Sequence, residues 1–345
     1  MRLLLYYTFK VLIKTGFFFY AKKIKISGKE NIPKKEAILF TANHPNGLLD
    51  PILIASSISR KTHFLVKADV FKNPKVATFF DWLGMMPVYR IRDGINQLAK
   101  NNLIFEKCRA LLKNEKALLI FPEGSHMRKR TIRPLSKGFT RILFGTLDEN
   151  PNLKISVIPV GITYQNSSKH PSEIALQIGK PISANEFYNP EELHKSTLSL
   201  KQEVTKQLQE LTVHITNDEN YDTIEANLNH LAIDFTEVTT TNKLIQTNKY
   251  NDIKKQPKQR KSILKLLIII NSFIPYFLWK AIDKKITEIE FKDTFRYGIN
   301  MITFPLFYFI NSLVITFFFN WKIGITYFLG SLLLIILHTK TASSK

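Results

Sequence analysis

Residues 37–51 read AILFTANHPNGLLDP, and the fold follows from this stretch. AILFTAN, 37–43, is a short apolar run with too little alternation to keep one face in water, the pattern of a strand covered on both sides. It runs directly into His44, a Pro-Asn-Gly turn at 45–47, and Asp50. The same texture recurs downstream. THFLVKA (62–68), ALLIFP (117–122) and ISVIPVGITY (155–164) read as further strands, and ALQIGKPI (175–182) as a short strand and turn. Helical segments fall between them at 51–59, 73–82, 94–113 and 136–147, with an amphipathic closing helix at 190–212. Alternating strands and helices predict an α/β domain over residues 22–212, with a mostly parallel central sheet flanked by helices.

The ends of the chain are different. Residues 1–21 contain LLLYYTFKVLIKTGFFFYA, interrupted only by Lys10 and Lys14. The run is long enough to span a bilayer, for which about 20 residues suffice. A lysine at mid-bilayer costs ~2.5–3.5 kcal/mol, however. A membrane-associated helix with both lysines at the headgroups is therefore the preferred reading, and a spanning helix the alternative. Residues 213–262 read as a polar, partly helical linker that ends in KKQPKQRKS. Residues 263–345 form a C-terminal membrane region. Its first apolar run, 263–282, contains Pro275 and either spans or lies in the interface. Ile299 to Phe319 is free of charge throughout, and Ile323 to Leu337 follows after a tight turn, which predicts a transmembrane hairpin at about 299–337. Basic residues at 254–260, and Lys284, Lys285, Lys292 and Arg296 ahead of the hairpin, put the main domain on the cytoplasmic side of the membrane. Both flanks fit if 263–282 does not cross.

Lys and Arg number 49 against 28 Asp and Glu, a net charge of +21 that favours an anionic partner. Part of this charge is juxtamembrane and no groove-reading motif accompanies it, so membrane lipids and phosphorylated small molecules are expected as partners, and no nucleic acid. The single cysteine, Cys108, excludes an intramolecular disulfide and any all-cysteine metal site.

Three segments concentrate chemistry at strand ends, where open α/β sheets build their sites. In NHPNGLLD, 43–50, the turn can fold Asp50 back onto His44. A carboxylate on one ring nitrogen raises the basicity of the other, which can then take a proton from a hydroxyl. In FPEGSH, 121–126, glycine permits backbone N–H groups to converge on an anion, and Arg128, Lys129, Arg130, Arg133 and Lys137 follow. GMMPVYRIRDG, 84–94, adds Arg90 and Arg92. Two sources of arginine around one histidine point to a substrate that carries phosphate.

The ordered blocks NHPNGLLD, GMMPVYR, FPEGS and VIPVG, with IGKPI at 178–182, resemble the glycerolipid acyltransferase superfamily over about residues 37–182. Five residues separate His44 from Asp50 where most members have four. That spacing, Pro51, the SH after Pro-Glu-Gly and the charged FKDTFRYG before an apolar hairpin resemble the glycerol-3-phosphate and dihydroxyacetone-phosphate acyltransferase branch. Position 126 is His where many lysophosphatidate acyltransferases carry Arg.

The resemblance implies an O-acyltransferase of phospholipid biosynthesis. His44, oriented by Asp50, would be the catalytic pair. Arg90, Glu123, Gly124, Ser125 and Lys137 would bind the phosphorylated glycerol acceptor. Acyl-CoA or acyl carrier protein (acyl-ACP) would be the co-substrate, with no cofactor and no metal. Glycerol 3-phosphate is the expected acceptor and 1-acyl-sn-glycerol 3-phosphate the alternative. A non-catalytic membrane-anchored scaffold or nucleic-acid-binding protein is the alternative of a different class.

Overall fold

In a computed structural model of the chain, which describes residues 2–89, 100–167, 169–248 and 263–343, strand β2 (Ala37–Ala42) is buried along its entire length. Side chains alternate across a strand. Ala37 and Leu39 accordingly enter one core, while Ile38, Phe40 and Ala42 enter the other. The remaining strands are β1 (Lys23–Ser27), β3 (Thr62–Lys67), β4 (Met85–Val88), β5 (Ala117–Ile120), β6 (Ile155–Tyr164), β7 (Glu173–Ile178) and β8 (Ile182–Ser183). They form one sheet in the order β1-β7-β6-β2-β5-β3-β4, with β8 also on β6. Pairings are parallel except where β6 meets β7 and β8. The mostly parallel sheet therefore matches expectation. β1 is an addition that the sequence reading did not include. Its KIKIS alternates lysine with isoleucine, which suits an edge strand.

One face of the sheet is covered by α1 (Arg2–Tyr20), through Phe17 and Tyr20, and by α2 (Leu49–Ser57), through Leu49, Leu53 and Ile54. After α3 (Pro74–Trp82), the other face is covered by α4 (Lys100–Lys113), α5 (Gly138–Glu149) and α6 (Leu193–Leu211). The expected helix at 94–113 is described from Lys100 onward; 94–99, like Arg90 and Arg92, lie outside the described residues. α2 begins at Leu49, two residues before the expected Pro51. Proline fits there because first-turn N–H groups have no partner within the helix.

Gly161 in β6 is a point of close approach. A Cβ there would lie 2.1 Å from the Leu211 carbonyl oxygen at the end of α6. Gly161→Ala is expected to destabilise the domain by ~1–3 kcal/mol through forced backbone movement. The check is thermal unfolding of the detergent-solubilised protein, and an unchanged Tm would contradict the contact.

Residues 213–248 include α7 (Tyr221–His230) and α8 (Val238–Thr247), which share a small core of Val213, Ile215, Tyr221, Leu228, Phe235 and Val238 with Ala175 of β7. The C-terminal region comprises α9 (Ile263–Asn271), α10 (Phe273–Asp283), α11 (Lys292–Phe318) and α12 (Trp321–Thr341). Among the described residues, Leu3–Tyr20, Ile289–Phe318 and Trp321–Thr341 are long and apolar enough to cross a membrane. α9 and α10 meet at a 96° bend. α11 and α12 turn at Asn320, whose side chain accepts from the Ile323 N–H at 3.1 Å and caps α12.

Candidate active site

The parallel strands β2, β5 and β6 run in register, with Thr41 opposite Ile120 and Ala42 opposite Val160, so their carboxyl ends share one edge. His44 follows β2 and Glu123 follows β5 at this edge, and Tyr164 closes β6. The loop leaving β2 is pinned from both sides. The Asn43 side chain donates to the Ile162 carbonyl at 2.9 Å and accepts from the Ile162 N–H at 2.7 Å. The Met127 N–H donates to the His44 carbonyl at 2.9 Å.

His44 and Asp50 are paired, with Nδ1 to Oδ2 at 2.8 Å. Asp50 lies in the first turn of α2 and is fully buried. Its Oδ2 also accepts the Asn46 backbone N–H at 2.7 Å, and its Oδ1 accepts the Tyr164 hydroxyl at 2.8 Å. With a backbone donor already on Oδ2, the proton of the His44 contact belongs on Nδ1. Nε2 then carries the lone pair, the arrangement a general base requires. The ring stacks on Phe121, with centroids 4.0 Å apart, and is 14% exposed. His126 stands edge-on to it at 5.8 Å, packed in turn against Phe291. His126 is therefore part of the wall around His44, a role its position after Ser125 does not announce.

The Pro-Glu-Gly block folds back through a bond from the Ser136 N–H to the Pro122 carbonyl at 2.7 Å. This brings Arg133 onto the block. Its Nε donates to Glu123 at 2.7 Å, one terminal nitrogen donates to the Ser125 hydroxyl at 2.7 Å, and the other donates to the Ser125 carbonyl. Burial holds the Glu123 carboxyl above its ordinary range, and the Arg133 contacts offset only part of the rise. Gly124 occupies the left-handed region at φ +76°, with open space where a Cβ would sit. Lys137 is exposed at the start of α5 and does not line the polar pocket shared by His44, Glu123, Met127 and Arg128. Arg130 also lines this pocket, but its guanidinium is engaged in the domain, stacked 3.6 Å over Phe235 and donating to the Tyr164 and Gln165 carbonyls. β4 ends at Val88 on the same edge of the sheet, two residues before Arg90, which lies outside the described residues.

The start of α11 closes over the catalytic turn. Asp293, buried, accepts from the Asn46 amide at 3.3 Å, the Tyr20 hydroxyl at 3.0 Å and Arg296 at 3.1 Å. The Thr294 hydroxyl accepts the Leu49 N–H at 3.2 Å. Gly47, at φ +33°, passes so close beneath the Glu290 carbonyl that a Cβ there would lie only 3.0 Å from its oxygen. The charged segment ahead of the hairpin is thus joined by hydrogen bonds to the turn between His44 and Asp50. Among the described residues, no cluster of His, Cys, Asp or Glu has the makings of a metal site.

A family profile described as Acyltransferase matches residues 23–163. Glycerol-3-phosphate O-acyltransferase 1 of Saccharomyces cerevisiae is 25% identical over 130 residues, covering 36% of this chain and 17% of the yeast protein. A 1-acyl-sn-glycerol-3-phosphate acyltransferase of Cocos nucifera is 26% identical over 156 residues, covering 43% of this chain and 47% of the coconut protein. The chain thus spans less than half the length of these curated relatives. The crystal structure of the 1-acyl-sn-glycerophosphate acyltransferase PlsC from Thermotoga maritima superposes with a TM-score of 0.44 at 22% identity, over 60% of this chain and 81% of that one. With NHPNGLLD, FPEGS and VIPVG carried on the neighbouring strands β2, β5 and β6, residues 23–163 are an acyltransferase domain similar to those of the glycerolipid acyltransferase superfamily.

Proposed function

We propose that the chain is a membrane O-acyltransferase that moves a fatty acyl group from acyl-CoA or acyl-ACP to a hydroxyl of a glycerol phosphate. The contact of 2.8 Å between His44 and Asp50 carries this reading. His44 Nε2 takes the proton of the acceptor hydroxyl, whose oxygen attacks the thioester carbonyl carbon. The carbon–sulfur bond breaks as the tetrahedral species collapses, and the departing thiolate receives the proton from His44. Asp50 holds the ring and stabilises the imidazolium that forms between the two proton transfers.

The sequence favoured glycerol 3-phosphate as acceptor. The comparisons lean toward the alternative, 1-acyl-sn-glycerol 3-phosphate, since the longer alignment and the larger share of a relative belong to a protein of that name. An acceptor that already carries an acyl chain also suits a site bordered by apolar helices of membrane length. Purified protein in detergent, assayed with both acceptors crossed against both donors, tests this. Turnover of 1-acylglycerol 3-phosphate above that of glycerol 3-phosphate is the expected result. The reverse order restores the first expectation, and no ester product with any pair overturns the reading.

Arg90 remains our choice for the acceptor phosphate, with Gly124 and Ser125 from the neighbouring segment in support and Glu123 ordering the cations; Lys137, exposed and off the pocket lining, leaves this set. A guanidinium grips two phosphate oxygens at once, which a lysine does not. Arg90→Lys is expected to raise KM for the phosphorylated acceptor and leave that of the donor nearly unchanged. A rise in the donor's KM alone would assign Arg90 to the donor instead.

For topology, we propose that the domain faces the cytoplasm and that the α11–α12 hairpin has both ends there. Cysteines placed at 284 and 342, with Cys108 replaced, are expected to react with a membrane-impermeant reagent from the same side. Labelling from opposite sides would contradict the hairpin.

A further inference from the structure

Behind the catalytic turn, α1, the loop before β7 and helices α9–α12 line a second, partly open cavity of about 670 Å³. It shares no lining residue with the polar pocket at His44. The Tyr20 hydroxyl, Asp293 and the Asn46 amide form a hydrogen-bonded partition between the two. The volume lies within the range of small-molecule sites, roughly 300–1,000 Å³.

The walls of this cavity are divided by chemistry. Leu12, Ile268, Met301, Phe304 and Leu332 supply apolar surface from helices of the membrane region. Among the described residues, Lys169, Lys265, Lys280 and Arg296 supply four cations, and no acidic residue lines the cavity. Asp293, outside the lining, meets part of the Arg296 charge. Three further lining residues carry buried polar atoms with no hydrogen-bond partner: His170 Nε2, Asn300 Oδ1 and His338 Nδ1. Each such atom costs ~1–3 kcal/mol if left without a partner. Burial and the nearby Arg296 hold the His170 imidazole down at about 3, so it stands neutral as a hydrogen-bonding group.

A free anion would use the cations and waste the apolar walls, and a hydrocarbon would do the opposite. We infer that the cavity binds one anionic glycerophospholipid from the surrounding bilayer, its phosphate among Lys169, Lys265, Lys280 and Arg296 and its chains along α9, α11 and α12. The site is separate from the acyl-transfer centre and does not depend on that chemistry. An occupant would bear on α1 and α11, the two helices that hold Asp293 against the catalytic turn.

Trp279 lines this cavity and provides the readout. The full-length chain carrying Trp82→Phe and Trp321→Phe retains Trp279 as its sole tryptophan. It is reconstituted in phosphatidylcholine with an equal minor fraction of acyl-brominated phosphatidate or acyl-brominated phosphatidylcholine. Stronger quenching of Trp279 by the brominated phosphatidate is expected. Lys265 and Lys280 are exposed and lie outside the catalytic machinery, so Lys265→Gln and Lys280→Gln should leave acyl transfer intact while each weakens the anionic preference about fivefold. Equal quenching by the two lipids, absence of quenching by either, or a preference that survives the double substitution would each overturn the proposal.

Discussion

His44→Ala is expected to lower kcat for acyl transfer by ~10²- to 10⁴-fold, the usual contribution of a positioned general base. The fold should persist. Asp50 keeps the Asn46 N–H and the Tyr164 hydroxyl as donors when the imidazole is removed, so no charge is left without partners. The loop also remains tied through the Asn43 side chain and through the His44 carbonyl, neither of which the substitution touches. Turnover within about threefold of wild type would contradict a general-base role. A lower Tm alongside lost activity would shift His44 toward a structural role.

Asp50 divides into two expected results. Asp50→Asn can place its carbonyl toward His44 and the Asn46 N–H while its amide donates to the Tyr164 oxygen. The geometry then survives and only the negative charge opposite the imidazolium is lost. Activity should fall less than in His44→Ala, with Tm close to wild type. Asp50→Ala orphans buried donors instead, at ~1–3 kcal/mol for each, and should lose both activity and stability. Kinetics and thermal unfolding on the two variants separate orientation from support. Equal stability of Asp50→Ala and Asp50→Asn would contradict the buried network.

What the sequence made legible was local. The pairing of His44 with Asp50 spans six positions and one turn, and both residue types announce acid–base chemistry at a strand end. β2 and β6 were legible because burial on both faces leaves an uninterrupted apolar run. β1 was not, since an edge strand with alternating lysine reads as surface. The other partners of the catalytic turn come from far along the chain. Tyr164 lies 114 positions from Asp50, and Asp293 lies 247 positions from Asn46. No periodicity or spacing connects such residues. Arg133 is a different case, because it stands among five cations of which the resemblance singles out Lys137 and not Arg133. Only the closure of the 122–136 loop sets it on Glu123 and Ser125, while Arg130 turns away to Phe235. A composition signal existed for the charged segment before the hairpin, where Asp293 and Arg296 sit three residues apart. That this segment would lie over the catalytic turn was settled by packing of α1 and α11 against the domain.

The central claim is that His44 delivers the acceptor hydroxyl directly to the acyl thioester. The most direct measurement follows thiol release from acyl-CoA and acyl-ACP by the purified full-length chain, against ester formation, with and without a glycerol phosphate acceptor, in wild type and His44→Ala. Thiol release that requires the acceptor, matches ester formed mole for mole and collapses in His44→Ala is the predicted result. Ester formation undiminished in His44→Ala, or no acceptor-dependent thiol release from either donor, would contradict it.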